Sequence, residues 1–188
     1  MGGGDKCLQR LSGQTLLARI IQIAQPQVAT LVLNANGAAD RFSEYDLPVV
    51  PDVTEGFAGP LAGVLSGLEW AQRNDTECRW VASFSCDAPF APPDLVRRCL
   101  SAVDLEQADL ACATSGGRDQ PVFGLWPVAL SSDLRAAVID ENLRKVDIWT
   151  ARYKLARVDW PTEPVDPFFN VNHPEDLAKA QTLVDILN

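Results

Sequence analysis

The sequence predicts an α/β fold with a largely parallel sheet covered by helices, and three observations carry that prediction. Short apolar runs rich in β-branched residues, such as ATLVLN at 29–34 and WVASFS at 80–85, are bounded by turn residues and read as strands. Amphipathic stretches with apolar residues at helical spacing lie between them. The two kinds alternate, which is the pattern of βαβ units and of a sheet buried between helices. The 188 residues contain no Pro/Gly/Ser linker and no internal repeat, so residues 1–188 read as a single domain.

Taken in order, residues 13–24 predict a helix with Leu16, Leu17, Ile20, Ile21 and Ile23 turned inward. Residues 29–34 predict a buried strand and 48–50 a short one. Residues 61–73 carry Leu61, Val64, Leu65 and Leu68 at helical spacing; 80–85 follow as a second buried strand and 93–103 as a helix. The runs ADLACA (108–113) and PVFGLW (121–126) flank the turn SGGRDQ, which predicts an antiparallel pair at one edge. Residues 128–139 and 143–152 read as helices and 155–160 as a strand. Pro174 opens a last helix through 187, with Glu175 and Asp176 near its positive end.

Composition excludes several classes of function. A net charge of −9, with 16 basic residues that form no stripe interleaved with aromatics, argues against nucleic acid. No apolar run approaches the ~20 residues that cross a bilayer, and no basic and apolar leader opens the chain, which predicts a soluble protein with no membrane partner. The five cysteines, Cys7, Cys78, Cys86, Cys99 and Cys112, form no C-x-x-C pair and read as reduced thiols, implying the cytoplasm. With His173 the single histidine, Ser-His-Asp, Cys-His and multi-histidine metal chemistries are taken as absent, and His173 reads as a cap before Pro174. The five tryptophans, spread through different elements, read as core or interface anchors.

In open α/β sheets ligands bind beyond the carboxyl ends of the strands, so polar residues that follow strand runs are the candidates. Asn34 follows TLVL, Asp52 follows PVVP, and Asp87 follows WVASFSC. Asp87 reads either as a hard-cation ligand shared with phosphate oxygens or as the cap of the next loop. Asn34 and Asp52 read as ligand contacts or as ordinary strand closers, and their shared edge favours contact. The opening MGGGDK is an anion loop with Lys6 as its charge, or a frayed terminus; it lacks the frame of a Walker A motif. GFAGPLAGVLSGL at 56–68 either presents helix-start N–H groups to a nucleotide or packs tightly on the sheet. Asn170 and Asn172 either read a polar ring or cap the last helix.

Together GGGDK, LNAN, VVPD, GPLAG, CDAP, RDQP and NVNHPEDL occur in the order found in one family. Over essentially its whole length the chain resembles the molybdenum cofactor guanylyltransferases, the MobA type of nucleotidyltransferase. The resemblance implies a Rossmann-like three-layer sandwich, the nucleotidyltransferase fold. It also implies transfer of GMP from GTP to the terminal phosphate of molybdopterin, with Mg²⁺ as cofactor and pyrophosphate as product. Lys6 and Asp87 would be catalytic, with Lys6 on phosphate and Asp87 the metal ligand. Gly2, Gly3, Asn34, Asp52, Gly59, Pro60, Leu61 and Gly63 would join them around the nucleotide, and Arg118, Asp119, Asn170 and Asn172 would face the pterin. Implied protein partners are other molybdenum cofactor biosynthesis proteins and acceptor molybdoenzymes. Such a transfer needs positioning and charge stabilisation more than a protein nucleophile, which suits a chain with one histidine.

Two departures from the family pattern stand out. His173 stands where threonine is common, and the family's opening strand and the first half of its phosphate loop are missing before MGGGDK. This predicts a start assigned too late or a fragment, with two apolar strand edges left open, lower stability and poor GTP affinity. Alternatives are a related transferase using CTP or another phosphorylated acceptor, and a non-catalytic member that binds nucleotide or pterin.

Overall fold

The computed structural model describes residues 5–53 and 59–187. From Asp5 the chain makes a 3-10 turn at Lys6–Leu8 and then a hairpin, β1 (Arg10–Leu11) with β2 (Gln14–Thr15). Its two-residue turn places Ser12 at φ 49° and Gly13 at φ 84°, the positive pair that a tight hairpin requires. The helix expected from residue 13 therefore begins later. Thr15 stays extended, its hydroxyl accepts the Ala18 N–H at 3.0 Å, and it caps α1 (Leu16–Ala24).

β3 (Leu33–Asn34) pairs in parallel with β4 (Val49–Val50). Then follow α2 (Pro60–Asn74), β5 (Trp80–Ser83), α3 (Leu95–Glu106), β6 (Leu110–Ser115), β7 (Arg118–Pro127), α4 (Ser131–Ile139), α5 (Val146–Thr150), β8 (Leu155–Trp160) and α6 (Pro174–Leu187). Strands β5 to β8 form one sheet in the order β5-β7-β6-β8, in which β7 alone opposes the direction of the others. The β6–β7 hairpin thus lies inside the sheet and not at its edge as expected. All six β6 residues are buried, and such a strand needs a neighbour on both sides. Its turn is Gly116 and Gly117 alone, at φ 53° and 73°, so Arg118 and Asp119 belong to the strand.

Successive residues of these strands enter opposite layers. Ala111, Phe123, Leu125, Ala156 and Val158 pack beneath α1 and α3. Leu110 and Trp126 pack with α2, α4 and Trp149 of α5. Trp126 crosses the open face of Gly124, where a Cβ would lie 2.4 Å from its ring, and its Nε1 donates to Ser83 Oγ at 2.7 Å. A third cluster, Leu11, Leu16, Val171, Ala180 and Val184, fastens α6 over the N-terminal hairpin.

The two strands expected to be buried, at 29–34 and 80–85, are short and only half-buried. β3 has two residues, and all four of β5 are partly exposed. Among the described residues no ladder joins β3–β4 to the four-stranded sheet. Between them run adjoining cavities of about 270 and 290 Å³, lined on both sides by Leu31, Val32, Val81 and Ala82. The strands are half-buried because each faces this channel instead of a hydrogen-bonded neighbour. Helix α2 packs against β3, β4, β5 and β7 and so bridges the gap. Among the described residues no helix is long and apolar enough to cross a membrane.

Candidate functional site

Asp87 lies just past the carboxyl end of β5, and two other segments converge on it. The Val171 N–H donates to its main-chain oxygen at 2.8 Å, which brings the loop before α6 to its side. The Ser85 hydroxyl donates to Oδ1 at 2.5 Å and the Lys6 ammonium to Oδ2 at 2.6 Å. Lys6 Nζ also donates to Asn172 Oδ1 at 2.6 Å. Lys6 and Asp87 keep 30% and 22% of their side-chain surface exposed, so a ligand can reach both. Asn172 is held from the helix behind it: Asp176 Oδ2 accepts the N–H groups of His173 at 2.7 Å and Asn172 at 2.9 Å. Those two bonds, from His173 first, hold the Asp176 carboxyl below its ordinary value. His173 occupies the cap position, where Asp176 supplies the return half of a capping box.

A second cluster closes the ends of β3 and β4. Asn34 Nδ2 donates to Asp52 Oδ1 at 3.0 Å and to the Val50 oxygen at 3.0 Å. Asn36 Nδ2 donates to Asp52 Oδ2 at 2.8 Å, and its Oδ1 accepts the Asp52 N–H at 2.8 Å. The Asn34 amide oxygen lies over Gly63, where a Cβ would stand 2.6 Å from it. Asn34, Asp52, Gly59, Pro60 and Gly63 line the cavity of about 290 Å³ together with Ser83, Phe84 and Cys86. Leu61 differs from its neighbours. Its side chain is 1% exposed and turned into the core with Leu65 and Trp126, because helical spacing puts it on the inner face of α2.

Arg118 and Asp119 are not drawn into either cluster. Asp119 accepts a forked pair from Arg157 at 3.0 and 3.2 Å and lines a separate cavity of about 510 Å³ with Arg118, Val146 and Thr150. They open β7, at the end of the sheet where β6 and, antiparallel to β7, β5 reach their carboxyl ends. Asn170 is exposed, and Gly2 and Gly3 lie outside the described residues. Three neighbours of the site were not singled out by sequence reasoning: Asn36, Ser85 and Cys7. The signal for the first two was available, since each sits two residues from a candidate and so shares its face of an extended chain. Beside the ion pair, the Cys86 thiol bonds to Cys7, which draws the Cys7 thiol below its ordinary value. The same bond, with burial, pushes the Cys86 thiol up.

Among the described residues no group of three or more His, Cys, Asp or Glu side chains is placed to hold a metal ion. Asp87 offers a single hard carboxylate beside neutral oxygen and ammonium groups. That donor set suits Mg²⁺, which keeps water and substrate phosphate as its remaining ligands, and does not suit a metal that needs an all-protein cage.

Comparison with known proteins gives the family and the fold. The MobA-like NTP transferase domain matches residues 1–154. The molybdenum cofactor guanylyltransferase of Bradyrhizobium sp. (strain ORS 278) is 53% identical over 183 residues, covering 97% of this chain and 86% of that protein. The molybdenum cofactor guanylyltransferase of Rhodopseudomonas palustris (strain HaA2) is 52% identical over the same shares. The crystal structure of molybdopterin-guanine dinucleotide biosynthesis protein A from Archaeoglobus fulgidus matches with a TM-score of 0.76 at 19% identity, covering 98% of this chain and 92% of that one. At that identity the match speaks for the fold, which is the α/β nucleotidyltransferase fold.

Proposed function

This chain belongs to the MobA-like NTP transferase family, and from that membership we propose that it transfers GMP from GTP to the terminal phosphate of molybdopterin and releases pyrophosphate. The observation that carries the reading is the meeting of Lys6, Asp87 and Asn172, 81 and 166 positions apart in sequence, at a strand-end edge suited to phosphates. In this reading the acceptor phosphate oxygen attacks the α-phosphorus of GTP, and the bond to the pyrophosphate oxygen breaks. The acceptor brings its own anionic nucleophile, so no protein base is needed, and the chain's task is to align the reactants and balance charge.

Lys6 leaves Asp87 and Asn172 to meet the phosphates, where its ammonium offsets charge on the departing pyrophosphate. Asp87, once released, is the residue that would hold Mg²⁺, and Ser85 keeps its carboxylate oriented. Bound there, Mg²⁺ would supply neutralisation of phosphate charge. Asn34, Asp52, Gly59, Pro60 and Gly63 form the nucleotide side, with Leu61 supporting α2 from the core. Asn172, with Asn170, forms the pterin side. The reading does not require Arg118 or Asp119.

The test is to incubate the full chain with GTP, molybdopterin and Mg²⁺ and to separate the nucleotides. Guanine dinucleotide and pyrophosphate in equal amounts are expected, with far less product from CTP or ATP. Folded protein that forms no dinucleotide overturns the proposal.

A further inference from the structure

Cys7 and Cys86 take no part in the transfer described above, yet they adjoin its two charged groups: Cys7 follows Lys6 and Cys86 precedes Asp87. Lys6 and Asp87 are joined at 2.6 Å, and the neighbouring pair of side chains is joined too, thiol to thiol. Two adjacent links hold residues 5–8 alongside residues 85–88. The other cysteines are differently placed. Cys99 and Cys112 are buried, Cys112 turns its thiol to the Ala113 oxygen at 3.3 Å, and Cys78 turns its own to the Trp80 oxygen at 3.3 Å. Cys7 and Cys86 are both only partly buried, so a small oxidant has access.

We propose that Cys7 and Cys86 are an oxidation site that forms a reversible disulfide on meeting a hydroperoxide, and that the bond closes the nucleotide site by holding Lys6 on Asp87. The Cys7 sulfur attacks one peroxide oxygen, the O–O bond breaks, and the Cys7 thiol proton leaves with the other oxygen as water or alcohol. The Cys86 sulfur then attacks the sulfenic sulfur of Cys7, the S–O bond breaks, and water leaves with the Cys86 proton. Two thiols lose two electrons and the peroxide gains them. An S–S bond needs the two sulfurs about 2 Å apart, and the ion pair one residue away on each segment already holds the two segments together. A bond of this kind in a reducing compartment is transient, which suits a switch.

The closure follows from position. Lys6 reaches phosphate and Asp87 reaches metal only when their ion pair opens, and a covalent link one residue away on each segment opposes that opening. This second half rests on the proposed transfer; the bond itself does not.

The experiment treats the reduced full chain with hydrogen peroxide, alkylates the remaining thiols, maps the digest by mass and measures GTP binding in Mg²⁺. We expect a Cys7–Cys86 cross-linked peptide, lighter by two hydrogens and reversed by dithiothreitol. GTP binding should weaken about tenfold in step with it. Cys7→Ser should form no cross-link and bind GTP equally with and without peroxide, with Cys86→Ala as the second variant and circular dichroism confirming both folds. A cross-link elsewhere, or peroxide sensitivity that survives in Cys7→Ser, overturns the proposal. A Cys7–Cys86 bond that leaves GTP affinity unchanged overturns the closure. Reduced protein that binds no GTP counts against the proposed function, and the mass map still decides the bond.

Discussion

β6 has six residues, all buried, and a hydrogen-bonded neighbour on each side, whereas β3 has two residues, one neighbour and a partly exposed face. The sheet around β6 is held by apolar burial and by the Trp126–Trp149 contact, with ring centroids 6.1 Å apart. The region around β3 is held at its carboxyl end by polar side chains, Asn34 and Asn36 on Asp52. Burial is non-directional and strong, and it makes a scaffold. Hydrogen bonds near the surface contribute little net stability and exchange readily with a ligand's own polar groups. The candidate site lies where the two meet: Asp87 hangs from the scaffold, and Lys6, Asn34 and Asp52 come from the more adaptable side.

The sharpest way to break this comparison is Trp126→Ala. Removing a fully buried indole between α2 and α5 should cost about 3–5 kcal/mol in denaturant unfolding. A loss below about 1 kcal/mol would show that the sheet is not the stability reserve. Asp87→Asn should do the opposite: dinucleotide formation should fall about 10²–10³-fold, by analogy with the loss of one charge-stabilising group. Its unfolding free energy should stay within about 0.5 kcal/mol. An active Asp87→Asn protein would remove Asp87 from the chemistry.

Gly63→Ala tests the junction itself. The new Cβ would displace the Asn34 amide oxygen, 2.6 Å away, so the KM for GTP should rise about tenfold with kcat nearly unchanged. The helix itself should gain up to about 1 kcal/mol from the same change, giving effects of opposite sign on binding and stability. Asn36→Ala should cost about 1 kcal/mol by leaving Asp52 short of two partners. The smallest effect is on acid stability. Because the Asp176 carboxyl is depressed in the folded chain, its contribution is complete above the ordinary value of 3.8 and is lost as the pH falls through the lowered one. Asp176→Ala should therefore lower stability slightly and evenly through the neutral range and flatten the unfolding profile in that acid window, as denaturant unfolding at a series of pH values would show.

Periodicity made the long elements legible. The core positions of α2, the 155–160 strand and the helix opened by Pro174 stand where apolar spacing and capping chemistry put them. The misjudged parts are those in which local pattern competes with tertiary context. ATLVLN reads as a buried strand because its side chains are apolar, but burial depends on what lies beside it, and here that is a channel. The late start of α1 needed the positive φ of Ser12, a non-glycine residue that gives no warning of it. In the site, Asn34, Asp52 and Asp87 could be picked out singly because each follows an apolar run at a strand end, and Lys6 because it closes a glycine-rich stretch.

What the sequence determined alone is the alternation of elements, the inward faces of the helices and the residue types available for charge stabilisation. Those are local properties, set by side-chain size, polarity and the period of the backbone. Tertiary structure alone decided that Lys6 meets Asp87 and Asn172, that Asn36 shares Asp52 with Asn34, and that Asp119 takes Arg157 as its partner. It also decided that Cys7 and Cys86 touch. Contacts between residues so distant along the chain depend on strand order and helix packing, which summed burial over the whole domain selects and no short segment encodes.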